Sequence, residues 1–165
     1  MTAHSARTRH IDPNLDLRIE RVIAVPKEDI WSAWTDPDKL VQWWIPAPLT
    51  LRAEAIELSP GGAFVTRMSE DGANYSPHVD AVFLVVEENS RLVFTNAVSS
   101  SWHPSFPDPV AMTTEIILAD HEDGTHYQAI VRHGSPEERA RHEELGFFDG
   151  WGTVTDQLAR LVERD

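Results

Sequence analysis

The chain has 165 residues, carries 14 Lys and Arg against 27 Asp and Glu for a formal net charge of -13, and contains no cysteine. That length suits one ordinary domain. The missing cysteines exclude disulfides, thiolate metal sites and thiol catalysis, and the acidic balance disfavours nucleic acid as a partner.

The N-terminal stretch MTAHSARTRHIDPN is polar, shows no period and lacks the apolar core of an export signal. No apolar run approaches the roughly 20 residues of a membrane span. The expectation is a soluble cytoplasmic protein with no membrane contact, a disordered arm over residues 1–14 and a single domain over 15–165.

From Leu15 the pattern turns β-rich. Leu17, Ile19, Val22, Ile23 and Val25 form the first predicted strand, ended by Pro26. Pro26 then fits the first helical position, Glu28 and Asp29 suit the positive end of a helix dipole, and Ile30 and Trp34 share a face four residues apart. A second short helix restarts at once, with Asp36 as N-cap and Pro37 in first position. Leu40, Trp43 and Trp44 follow at helical spacing until Pro46 stops them.

Between Thr50 and His133 β-like segments alternate with turn residues, the pattern of an antiparallel meander. The predicted strands run from Leu51 to Leu58, Ala63 to Ser69, Val79 to Glu87, Arg91 to Ala97, Met112 to Ala119 and Thr125 to His133. Their longest connection, SSSWHPSFPDP from Ser99 to Pro109, is rich in proline, and its Trp102 suggests contact with a second copy, a homodimer. Ser135, Pro136 and Glu138 make a capping box that opens one long helix running to the end. Its apolar stripe is Phe148, Trp151, Thr155, Leu158 and Val162. Gly146, Gly150 and Gly152 each oppose a helix by about 1 kcal/mol, so its middle should be thin, kinked or closely approached.

Catalytic motifs are scarce. His142-Glu143 continues as Glu144-Leu145-Gly146, which lacks the second histidine of a HExxH zinc site, and no phosphate loop or GxSxG elbow occurs. No metal and no cofactor are expected. Asp80 and Glu115 read as solvated charges on the outer face of the sheet. Alternation in the last strand instead places Tyr127, Ala129, Val131 and His133 on one inner face. The same reasoning groups Phe64, Thr66 and Met68, then Leu92, Phe94 and Asn96, then Thr114, Ile116 and Leu118. Such a wall suits a small-molecule pocket and equally a filled core.

The words of sequence that go further are Ile30 to Pro37 (IWSAWTDP), Leu40 with Trp43-Trp44 and Pro46, Pro60 to Phe64 (PGGAF), Arg91 to Thr95 (RLVFT), and Gly150-Trp151 with Leu158-Ala159. In this order the chain resembles the START-related SRPBCC superfamily, and within it the group named after the activator of heat-shock-protein-90 ATPase. The resemblance implies an α+β helix-grip fold, in which a curved antiparallel sheet of about seven strands wraps a long C-terminal helix and leaves a cavity between them. It implies a ligand that is small and hydrophobic, aromatic or lipid-like.

On that frame the cavity residues are Trp43, Trp44, Phe64, Thr66, Met68, Phe94 and Asn96 from the first half of the chain. Thr114, Ile116, Tyr127, Val131, His133, Phe148 and Trp151 complete them. Adjacent helical side chains point about 100° apart, so of Trp43 and Trp44 one anchors the helix pair against the sheet and the other sits at the cavity mouth or is half exposed. Two alternatives stay open: an aromatase/cyclase-type enzyme using His133 as general acid or base, and a co-chaperone-like interaction module.

Overall fold

The computed structural model describes residues 10–164, so residues 1–9 of the expected N-terminal arm lie outside the described residues. Seven strands, β1 (Asp16–Ile23), β2 (Thr50–Ile56), β3 (Ala63–Ser69), β4 (Ser76–Glu87), β5 (Arg91–Thr95), β6 (Thr113–His121) and β7 (Gly124–Arg132), form one antiparallel sheet. Its order is β1-β7-β6-β5-β4-β3-β2, so every strand but the first pairs with its sequence neighbour. Only β1 crosses over, pairing with β7 in the register Leu17↔Val131, Ile19↔Ala129 and Arg21↔Tyr127. Register shifts near Ala53/Ala55, Thr66/Arg67 and Phe83/Val85 concentrate in β2 to β5. Bulges of this kind bend strands, and here they curve that half of the sheet around what it covers.

Between β1 and β2 stand α1 (Lys27–Thr35) and α2 (Pro37–Leu40). Pro26 is the N-cap of α1 and not its first helical residue, because its backbone is extended. Asp36 caps α2 as expected, accepting from the amide of Asp38 at 2.9 Å. That helix is a single turn. Trp43 and Trp44 therefore follow it in a turn instead of lying on it, held by amide bonds from both to the Leu40 carbonyl at 3.2 and 3.0 Å.

The C-terminal segment is two helices and not one, α3 (Pro136–Glu144) and α4 (Phe147–Val162). Gly146 breaks it with φ at 95°, a left-handed conformation that costs glycine nothing and other residues strain. Ser135 caps α3, and α3 buries none of its residues. The apolar face of α4 is Phe147, Trp151, Val154, Thr155, Leu158 and Ala159. Phe148, expected on that face, is 49% exposed, although Trp151, Thr155 and Leu158 are buried at the expected spacing. Gly150 and Gly152 lie inside α4 with no atom within 4 Å of where a Cβ would sit, so neither marks a close approach.

The core lies between the inner sheet face and α1, α4 and the tryptophan turn. The outer face holds a correction: Glu115 is buried, not solvated, and binds Arg132 Nη1 at 2.8 Å and Arg91 Nε at 3.3 Å. Asp80 sits elsewhere, accepting from the Ser100 amide at 2.8 Å. Among the described residues no helix is long and apolar enough to cross a membrane.

Trp43 is buried and its indole donates to the Ala33 carbonyl at 2.9 Å. Trp43→Ala is expected to cost about 3–5 kcal/mol by urea unfolding, and Trp43→Phe distinctly less because it loses mainly the hydrogen bond. Equal and negligible losses would place the anchor elsewhere.

Candidate functional site

One cavity of about 230 Å³ opens between the sheet and α4. Trp151, Val154 and Gly150 line it from α4, Trp44 and Pro46 from the turn after α2, and Val79 with His78 from β4. The chain between β5 and β6 supplies Asn96, Asp108, Pro109, Val110 and Met112, and α3 contributes His142. The wall is mostly apolar, and none of these residues is Lys or Arg.

The aromatic side is rigid. Trp44 and Trp151 meet edge to face with centroids 5.3 Å apart, and Trp44 also contacts Phe94 at 6.2 Å and Phe64 at 6.4 Å. Such edge-to-face and stacked pairs resist rotation beyond what burial alone provides. The Trp44 indole nitrogen is buried and has no hydrogen-bond partner among the described residues.

The polar side chains divide into those already committed and those with capacity left. Asn96 is spent on structure: its Oδ1 accepts from the Met112 amide at 2.7 Å and its Nδ2 donates to the Val110 carbonyl at 3.3 Å, closing the long loop. His78 shares a 2.8 Å hydrogen bond between Nδ1 and the Thr66 hydroxyl. Burial pushes His78 down to about 4, leaving its imidazole neutral at physiological pH. His142 is likewise pushed down to about 4, first by burial and then by the neighbouring His133. Asp108 is exposed at the rim.

Of the residues expected at the cavity, Trp44, Asn96 and Trp151 line it. Trp43, Phe64, Thr66, Phe94, Thr114, Ile116, Tyr127 and Val131 are buried in the core around it and do not line it. Tyr127 accepts from the Trp34 indole at 3.2 Å, and burial pushes its phenol pKa up. Met68 is half-buried beside a separate surface hollow, and Phe148 faces outward. His133 is buried with both ring nitrogens engaged, Nδ1 to the Leu15 carbonyl and Nε2 to His142 Nδ1, each at 2.8 Å. It reaches the cavity only through His142.

Sequence reasoning missed Pro46, His78, Val79, His142, Gly150 and Val154, and Asp108, Pro109, Val110 and Met112 from the long loop. His142 was weighed only as a zinc ligand, and His78 fell just before the expected start of its strand. The one usable signal was Gly150, an anomaly in a helix. Among the described residues no group of three His, Cys, Asp or Glu could hold a metal ion.

A curved antiparallel sheet closing on a C-terminal helix over an apolar cavity defines a helix-grip protein. The family model of Activator of Hsp90 ATPase homolog 1-like protein matches residues 24–163, and the chain belongs to that family. Similar solved structures include protein NE0264 from Nitrosomonas europaea, at 37% identity and TM-score 0.84 over 93% of this chain and 97% of that one. Protein CV1439 from Chromobacterium violaceum is 24% identical with TM-score 0.71, covering 92% of this chain and 99% of its own. The AHSA1-like protein from Aeromonas hydrophila is 23% identical with TM-score 0.64, covering 90% and 92%. These two share the fold. A comparison with curated proteins finds no match.

The folded state holds His78 near 4, whereas the unfolded chain takes up its proton near 6.5. Its neutral burial therefore supports the fold fully above 6.5 and is lost as pH falls toward 4. Relative to His78→Gln, the wild type is expected to lose stability across that window, by on the order of 3 kcal/mol. A difference between the two proteins that does not change with pH is the contrary result.

Proposed function

We propose that this protein binds a small, uncharged, largely apolar molecule, with an aromatic ring held against Trp44 and Trp151. The observation that carries this reading is the composition of the cavity: apolar and aromatic walls, two imidazoles kept neutral and no cationic residue. An anionic ligand such as a fatty acid finds no partner charge there, in a protein of net charge -13. A volume of about 230 Å³ fits one or two fused rings and is small for a long-chain lipid.

The enzyme alternative is less well supported. A general acid or base works best near ambient pH, and the two histidines that line the cavity, His78 and His142, are held neutral down to about 4. A co-chaperone-like role rests on the family description alone.

Gly150→Leu tests the binding reading. A side chain there enters open space at the cavity wall and fills it, while leucine raises helix propensity by somewhat under 1 kcal/mol. Two-ring aromatics are expected to raise the melting temperature of the wild type and of Gly152→Ala, which changes the same helix off the cavity. They are expected to leave Gly150→Leu unshifted though fully folded. Equal shifts in all three proteins would move the ligand elsewhere. A homodimer through the exposed Trp102 and Phe106 is a separate proposal; light scattering at 18.6 kDa, the mass of one chain, discards it.

A further inference from the structure

The cavity's polar chemistry is set from behind its wall, by a chain of hydrogen bonds in which each proton position follows from the one before. The Leu15 carbonyl can only accept, so His133 Nδ1, 2.8 Å away, must carry hydrogen. A neutral His133 then has a bare Nε2. His142 Nδ1 lies 2.8 Å from that Nε2, so it must be the donor of the second bond. A neutral imidazole has one hydrogen, and His142 has placed its own toward His133.

What remains on His142 is Nε2, a lone-pair acceptor with no partner among the described residues, on a residue that lines the cavity. The geometry points to a ligand that brings a hydrogen-bond donor, an aromatic hydroxyl, to His142 Nε2, with His133 acting as the positioning residue that fixes the acceptor form. This rests on the binding reading above and names the ligand's polar group.

The lining agrees with a hydroxyl. Asn96 already uses Oδ1 for the Met112 amide and Nδ2 for the Val110 carbonyl. An ammonium donor fits poorly, because burying a full charge among apolar walls costs far more than burying a hydroxyl, and Asp108, the one lining carboxylate, is exposed. His142 also meets the Phe147 ring edge to face at 5.1 Å, a contact that together with the His133 bond favours this ring orientation.

The test has two independent arms. Long-range proton–nitrogen NMR on the ligand-free protein at pH 7.5 reports the tautomers, and both His133 and His142 are expected as Nδ1–H forms. In His133→Phe, which takes the acceptor away, His142 is expected to shift toward Nε2–H while a purely structural role for His133 would leave it unchanged. Finding His142 as Nε2–H in the wild type overturns the inference.

The second arm compares dissociation constants for 2-naphthol, 2-methoxynaphthalene and naphthalene by titration of tryptophan fluorescence. The naphthol is expected to bind about fivefold to tenfold tighter than its methyl ether, which keeps the oxygen and loses the donor. His142→Phe is expected to bring that ratio close to one while naphthalene still binds. A wild-type ratio near one, or a ratio unchanged in His142→Phe, overturns the inference and leaves the apolar cavity standing as a binding site. No saturable binding of any of the three overturns both.

Discussion

The indole of Trp44 touches more of the fold's rings than any strand pairing could bring together. Its centroid lies 4.7 Å from Trp34, 5.5 Å from Trp43 and 5.3 Å from Trp151, with Phe64, His78 and Phe94 at 6.2 to 6.4 Å. Those partners come from α1, the turn after α2, α4 and three strands. One side chain thus ties the helices to the sheet, and it does so with its own N–H buried and without a partner among the described residues. Leaving a donor so costs on the order of 1–3 kcal/mol, which the surrounding aromatic burial outweighs at about 25 cal/mol per Å². The cavity opens beside this indole, which forms part of its wall.

Charge is sorted by the two faces of the sheet. On the outer face Glu115 is buried beneath Arg91 and Arg132, and Arg132 also approaches Asp16 at 3.9 Å. Replacing one member of such a set strands the others, so it fixes which face of β6 and β7 looks outward more than it adds to net stability. On the inner face the polar groups are neutral: threonines, Tyr127 and imidazoles whose pKa burial depresses. An acidic protein can hold an uncharged interior in this way because its charges are elsewhere.

How much of this was legible depends on whether a feature is periodic. The alternation of Tyr127, Ala129 and Val131 gave the inner face of β7, and all three are buried. Asp36 and Ser135 were readable as caps because the amides that donate to them lie two and three residues on. The break at Gly146 was not readable, since three glycines weaken the segment and spacing does not tell which one leaves helical backbone. Glu115 was misjudged for a related reason: alternation tells which face a residue occupies but not whether arginines from neighbouring strands cover it. Most of the cavity wall comes from a loop, a turn and a second helix, where no repeat exists to extrapolate.

The break at Gly146 matters beyond its own geometry. Freed from the axis of α4, α3 follows β1, where Arg139 Nε donates to the Asp16 carbonyl at 3.0 Å and His142 meets His133 just beyond the end of β7. The His133 amide in turn bonds to Leu15 at 3.0 Å, so the start of the domain is fixed to the strand end behind the cavity. A straight helix through residue 146 would follow one axis, and the histidine pair, the loop of Asn96 and the open flank at Gly150 would not converge on it. The regular elements set the frame, and its irregular joints, one left-handed glycine and one non-helical tryptophan turn, decide what the frame encloses.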